Sequence, residues 1–254
     1  NLDFYNYIQR TANWLESIGA KPKHPIIIPT LEYPQSEILL YGIWQLGAVA
    51  VINANLDIEK IANQLNDPIL ISDKTSLFNE IKNFSEKYNP KYKPNLSEVA
   101  LITFETGNGI KLSHYNLLVN ANSIQKALNI ESRTKIYCNL EPDSSAWAVF
   151  KAILPIYSGC IFDIENPDFS INTQDGDYLL RYDFQNLKQF SKNDIAICPE
   201  NTAAISVGSN PIHLTDFYLN KNDLQIKGHS VMMGYLNQEL NKSSFKKDGF
   251  FIYF

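Results

Sequence analysis

"EVALITFETGNGIKLSHYNLLVNA", residues 98–121, is the stretch on which the reading of the fold turns. Val99 to Phe104 is an apolar run of the length of a buried strand. Thr106, Gly107 and Gly109 then crowd two glycines into a short space, Lys111 adds positive charge, and a helical pattern opens after Ser113, a residue suited to cap it. Strand, glycine turn and helix in this order suggest a phosphate cradle, because backbone N–H groups can approach an anion there and a helix N-terminus favours one. The same glycines would equally relieve backbone strain at an ordinary strand-to-helix turn. Neither G-x-x-x-x-G-K-[ST] nor G-x-G-x-x-G is present.

On the N-terminal side, Phe4, Ile8, Leu15 and Ile18 recur at helical spacing, with Gly19 placed to end the helix in a left-handed conformation. "HPIIIPT" reads as a short strand, "PQSEILLYGIWQLG" as a helix with Pro34 at its start and Gly47 at its end, and "AVAVIN" as the next strand. Asp57 can cap "DIEKIANQLN"; "PILIS" is strand-like and "KTSLFNEIKNFSEKY" helix-like. On the C-terminal side, "KIYCNL", "SSAWAVFKAILPIYSG" and "CIFDI" repeat strand, helix, strand. Such alternation predicts an α/β fold of layered, mostly parallel sheets joined by right-handed helical crossovers. Ligands sit at the carboxyl ends of strands in such sheets, which is where Thr106 to Lys111 falls.

After about residue 165 the character changes: "ENPDFSINTQDGD" reads as a polar loop and "TDFYLNKNDLQIKG" as a β-hairpin turning at Asn220 to Asp223. We therefore expect an α/β core over 1–165 and a smaller, β-rich remainder over 166–254.

With 254 residues, 44% of them hydrophobic, the chain can bury a substantial core. The formal net charge of −5 gives no basic surface for nucleic acid. Ala146 to Phe162 is apolar but broken by Lys151, Pro155 and Gly159, so it is read as core rather than a membrane span of about 20 residues. Cys138, Cys160 and Cys198 form no C-x-x-C pair, which suits a reducing, cytoplasmic setting. The histidines show no metal-ligand spacing, and no serine sits in a G-x-S-x-G elbow. Glu200 in "AICPENTAAISVG" could hold a magnesium ion or be a surface carboxylate, and Trp147 and Phe150 could line an acyl pocket or pack the core.

Taken together, these segments resemble the adenylate-forming superfamily of acyl-CoA synthetases, fatty acyl-AMP ligases and peptide-synthetase adenylation domains. "YGIWQLGAVAVINANLDIEKIANQLNDPILISD" is similar to its G-A-V-x-V-P region, and "ALITFETGNGIKLSHYNLLVNA" to its T-S-G-T-T-G-x-P-K-G loop and S-H-x-N helix. "NLEPDSSAWAVFKAILPIYSGC" resembles the segment after the next strand, "ENTAAISVG" the surroundings of Y-G-x-T-E, and "LQIKGHSVMMGYLNQELNKSSFKKDGFFIYF" the G-x-S-V-M-x-G-Y-x-N stretch leading to T-G-D. The matches are collinear. The phosphate loop is shortened, however, Pro199 stands where Y-G-x-T-E has Thr, and fewer residues separate Cys160 from Pro199 than the family places there.

The resemblance implies an N-terminal adenylate-forming core that activates a carboxylic acid with ATP for transfer to a thiol. It implies Thr106, Gly107, Gly109, Asn201 and Thr202 as nucleotide-binding residues, Lys111 and Glu200 as catalytic groups, Glu200 as a magnesium ligand, and Ser145, Trp147 and Phe150 as substrate pocket. CoA, or the phosphopantetheine of an acyl carrier protein, would accept the acyl group. The T-G-D carboxylate and the mobile C-terminal domain are expected to lie outside residues 1–254. The Ser145 to Leu154 segment has no carboxylate for a substrate amine, which points to an acyl rather than an amino acid. The alternatives are a catalytically inactive adenylation-like docking domain and a generic nucleotide-binding α/β domain.

Overall fold

The computed structural model describes residues 2–52, 56–72, 76–220, 223–246 and 251–253. They form two compact units, one of Asn1–His114 with Pro142–Ser144, the other of Tyr115–Glu141 with Ser145–Phe254. The boundary expected near residue 165 thus lies inside the second unit.

The first unit begins with α1 (Leu2–Ser17), whose buried face carries Ile8, Thr11, Ala12 and Leu15 at the spacing of a helical stripe. Gly19 follows at φ +89, as a left-handed terminator requires. β1 (Pro25–Ile27), α2 (Gln35–Leu46) and β2 (Val49–Ile52) come next. Gly47, at φ +81, closes α2 by donating its N–H to the carbonyls of Ile43 and Trp44. Asp57 caps α3 (Ile58–Ala62), its side chain accepting the N–H of Glu59. β3 (Ile69–Leu70), α4 (Leu77–Ile81), β4 (Val99–Thr103) and β5 (Ile110–Ser113) complete the unit. Its strands lie in the order β5-β4-β2-β1-β3. β4, β2, β1 and β3 are parallel, with Ala50 opposite both Leu101 and Ile26. The indole N–H of Trp44 donates to the carbonyl of Ala100 at 2.8 Å, tying α2 to β4.

Two expectations fail here. α4 is one short turn, far less than "KTSLFNEIKNFSEKY" suggests. More consequentially, residues 98–114 are no strand-to-helix turn: β5 pairs antiparallel with β4, Ile102 opposite Lys111 and Thr103 opposite Ile110, so the glycines join two strands of a hairpin. The apolar side chains of Ile110 and Leu112 are fully buried, and their alternation with Lys111 and Ser113 is the period-two signature of a strand.

The second unit holds α5 (His114–Ala127) from its second residue onward, then β6 (Lys135–Cys138). The apolar segment is helical but irregular: α6 (Ser145–Trp147) runs through a π-helical turn, Ala148–Ile153, into α7 (Leu154–Ser158), which Gly159 ends at φ +71. β6 lies between β7 (Ile161–Phe162) and β8 (Phe169–Ile171), parallel to both. β8 occupies the stretch expected to be a polar loop. β9 (Leu179–Arg181), β10 (Asp194–Ile197), β11 (Ala204–Val207) and β12 (Asn210–Pro211) form a second sheet, with β9 and β10 parallel and the rest antiparallel. β13 (Thr215–Asn220) and β14 (Asp223–Gly228) are the expected hairpin, although its turn residues Lys221 and Asn222 lie outside the described residues. β15 (Gly234–Tyr235) and α8 (Gln238–Ser244) follow, and β16 (Phe251–Tyr253) pairs with β14. Phe184, Leu187, Ala196, Cys198, Ile205, Leu224 and Ile226 form a buried apolar cluster between these sheets. The fold is therefore layered α/β with parallel central strands and a β-rich C-terminal part.

Candidate functional site

In the first unit, the loop between β4 and β5 turns where Gly107 donates its N–H to the carbonyl of Phe104 at 2.8 Å. Gly107 sits at φ +83 with open space around the position a Cβ would take, so its conformation, rather than crowding, explains the glycine. The Oγ1 of Thr106 is buried and has no hydrogen-bond partner among the described residues. A buried hydroxyl left unpaired carries a desolvation cost of about 1–3 kcal/mol, so a ligand oxygen reaching it would recover that energy. Gly109 is buried, and Lys111 lies on β5 rather than beside a helix N-terminus. The helix begins only at His114, after the strand. The expected contribution of a helix dipole to the loop is thus removed by β5.

Glu105 went unnoticed in the sequence. Thr103 Oγ1 donates to its carboxylate at 3.2 Å and accepts its backbone N–H at 3.4 Å. It places a carboxylate inside the loop. An acidic residue within a glycine-rich loop was the signal to find it by.

In the second unit, the turn between β10 and β11 is a 3-10 turn, Pro199–Asn201, closed by Thr202 N–H on Pro199 O at 2.9 Å and Cys198 N–H on Ala203 O at 2.8 Å. Glu200 is 2% exposed, and not the surface carboxylate of the simpler expectation. Tyr235 donates its hydroxyl to Oε1 at 3.1 Å, Cys198 its thiol to Oε2 at 3.4 Å, and Met232 its N–H to the Glu200 carbonyl at 2.8 Å. Burial raises the Glu200 carboxyl above the ordinary range, against the hydrogen bonds that favour ionisation. Burial first, and then the neighbouring carboxylate, push the Cys198 thiol well up.

Asn201 and Thr202 are fully buried. Asn201 donates its amide to Ala204 O at 2.9 Å and its backbone carbonyl accepts Asn120 Nδ2 at 3.1 Å, while its side-chain Oδ1 is buried without a hydrogen-bond partner among the described residues; Thr202 donates its hydroxyl to Ser230 O at 2.6 Å. Through these bonds both residues bind the fold to itself. The asparagines of "SHYNLLVNA" do the same, for Asn120 also donates to Ala204 O at 3.0 Å and accepts Ala204 N–H at 3.2 Å. Asn116, one turn earlier, donates to the carbonyls of His229 at 2.9 Å and Val231 at 3.0 Å. Ser145, Trp147 and Phe150 are likewise fully buried, Trp147 and Phe150 among the largest such side chains. Two surface clefts, of about 330 Å³ beside Tyr88 and Tyr92 and about 510 Å³ beside Thr215 and His229, contain none of the candidate catalytic, nucleotide-binding or pocket residues.

These residues do not fit a magnesium ion. Mg²⁺ takes hard oxygen ligands in octahedral geometry with retained waters. Both Glu200 oxygens are occupied, one by a thiol, and among the described residues no group of three His, Cys, Asp or Glu could hold a metal. Likewise, among the described residues no helix is long and apolar enough to cross a membrane.

The fold is similar to those of solved adenylation-domain and CoA-ligase structures. Among solved structures it is similar to McyG A-PCP complexed with phenylalanyl-adenylate, at TM-score 0.79 and 17% identity, over 98% of this chain and 66% of that one. It is similar to ATP-bound MatB from Rhodopseudomonas palustris, at TM-score 0.76 and 12% identity, over 98% of this chain and 69% of that one. The N-terminal domain of FACL13 from Mycobacterium tuberculosis aligns at TM-score 0.72 and 16% identity, over 98% of this chain and 87% of that one. The chain thus spans about two thirds of the length of the first two. No protein-family model matches the sequence, and no curated protein matches it.

Proposed function

We propose that this chain carries the nucleotide-handling core of a carboxylate-activating ligase, which uses ATP to convert an acid into an acyl-adenylate for transfer to a thiol. The observation that carries this reading is the buried, unpartnered Thr106 hydroxyl beside the left-handed Gly107, in the loop that follows the buried strand β4. The fold supports it, since similar structures hold ATP or an acyl-adenylate. In the reaction, an oxygen of the acid attacks the α-phosphorus of ATP, a P–O bond forms, the bond to the β-phosphate bridging oxygen breaks, and pyrophosphate leaves. Thr106 would donate its hydroxyl to a phosphate oxygen, and Lys111 would offset the charge that accumulates on the departing group. No covalent attachment to the protein is required.

An acyl acid fits the apolar character of Ser145 to Leu154, where Trp147 and Phe150 are buried. An amino acid would need a carboxylate for its ammonium, and the closest in sequence is Asp143, two residues before Ser145. The acceptor would be CoA or carrier-protein phosphopantetheine, in keeping with the A-PCP form of one similar structure. The second reading is an inactive adenylation-like docking domain, favoured by Glu105 inside the loop and by the burial of Glu200. Acid-dependent exchange of labelled pyrophosphate into ATP separates the two, with a panel of fatty, aryl, keto and amino acids. Exchange with one class supports the ligase and names its substrate, and loss of amino-acid-dependent exchange in Asp143→Asn would assign the amine site. Silence across the panel overturns the ligase reading.

A further inference from the structure

The Glu200 corner runs against its expected role as a metal site, and the contacts that produce the disagreement belong to one unit of the fold. Glu200 is joined to the segment Ser230–Tyr235 through the Tyr235 hydroxyl and through its own carbonyl, which accepts the Met232 N–H. The adjoining Thr202 hydroxyl reaches the Ser230 carbonyl. Three hydrogen bonds therefore stitch one short turn to one short segment. The second carboxyl oxygen faces a thiol, a soft donor that a hard cation does not select. Rotating the carboxyl outward to meet a cation would break both side-chain bonds in an environment where Glu200 is 2% exposed, and replacing buried hydrogen bonds is costly.

We propose that Glu200 is a structural tie between the β10–β11 turn and the Ser230–Tyr235 segment, and that this chain binds ATP without a divalent cation held by that carboxyl. The nucleotide part rests on the reading given under Proposed function. Any magnesium would then arrive on the phosphate oxygens of ATP itself, with retained waters completing its octahedral shell.

The test uses the full chain, with ATP in magnesium and ATP in EDTA as probes, together with thermal unfolding. Glu200→Gln keeps an oxygen for the Tyr235 hydroxyl; we expect it to bind ATP in magnesium within about twofold of the parent, a difference near the noise of such measurements. A loss of about tenfold or more in magnesium, with affinity in EDTA unchanged, would overturn the proposal and leave the ligase reading standing. The tie is tested without nucleotide. Tyr235→Phe should lower Tm in the parent and in Glu200→Gln, yet add nothing in Glu200→Met, which removes both oxygens at similar volume. Additive Tm losses in the Glu200→Met, Tyr235→Phe double variant would sink the tie. A chain that binds no ATP in either condition would overturn both the nucleotide part and the ligase reading, and the Tm cycle would still decide the tie.

Discussion

Thr106 and Asp194 are opposite cases of a buried polar group. The Thr106 hydroxyl has nothing to bond to within the described chain, so Thr106→Val removes no internal hydrogen bond and replaces a desolvated oxygen by a methyl. Stability to urea should stay within about 0.5 kcal/mol or rise, while ATP affinity measured calorimetrically should fall about tenfold if the hydroxyl meets a phosphate. Equal loss of stability and affinity would assign Thr106 to the scaffold. Asp194, in contrast, is 7% exposed and fully engaged, accepting Arg181 Nε at 2.8 Å and Ser191 N–H at 2.6 Å. Burial alone would raise its pKa, but these donors together outweigh burial and hold the carboxyl below its usual value. A depressed folded value means the stabilisation is present above the unfolded pKa, about 3.9, and is lost as pH falls through the folded one. Asp194→Asn should therefore cost about 1–2 kcal/mol at pH 7, a figure tempered by the half-exposed Arg181. The difference between parent and variant should shrink in urea titrations as the pH drops below about 4, the unfolded-state value. A gap that persists unchanged in acid would refute the ionic account.

Among the elements, helices were the more legible. α1 announced itself by apolar spacing and Gly19, α2 by Pro34 and Gly47, and α3 by Asp57, because each of these signals is local. The hairpin β4–β5 was not legible, because a glycine turn after a strand looks the same whether a strand or a helix follows. Only the four-residue alternation of Ile110, Lys111, Leu112 and Ser113 distinguished them. Candidate site residues fared similarly: sequence could place Glu200 near strands, but its occupancy depends on Tyr235, 35 positions away. Gly42 shows the same limit, for a mid-helix glycine reads as a local cost, yet a Cβ there would overlap Thr11 Cγ2 on α1. Thr11 is fully buried and cannot yield, so Gly42→Ala should lose about 1–3 kcal/mol, and Thr11→Ser should restore part of it in the same urea assay. Asn120→Ala on α5 should lose about 2–4 kcal/mol, since it strips a buried amide that bonds Asn201 O, Ala204 O and Ala204 N at once. A loss under about 0.5 kcal/mol would mean that water replaces the amide there.

For the whole molecule, the question is which ligand the native state prefers, and linkage turns this into a temperature. A ligand that binds only the folded chain, present at about 100 times its Kd, adds about 2.7 kcal/mol of stability. For a chain of 254 residues that corresponds to a Tm rise of about 5–10 °C. The three readings of this fold differ in what should cause the rise. A carboxylate-activating core should respond to a non-hydrolysable acyl-sulfamoyl-adenosine carrying the correct acyl group more strongly than to ATP or AMP, because the mimic joins both halves of the product in one molecule and saves the cost of bringing them together. A generic nucleotide-binding domain should respond to ATP alike, whatever acyl group is offered. A docking domain that has given up the chemistry should respond to none of them. Under the reading proposed above, which rests on the unpartnered Thr106 hydroxyl in the β4–β5 loop, the expected outcome is the first. The rise should be lost in Thr106→Val at the same ligand concentration, and a mimic-induced shift that survives that substitution would place the nucleotide elsewhere on the chain.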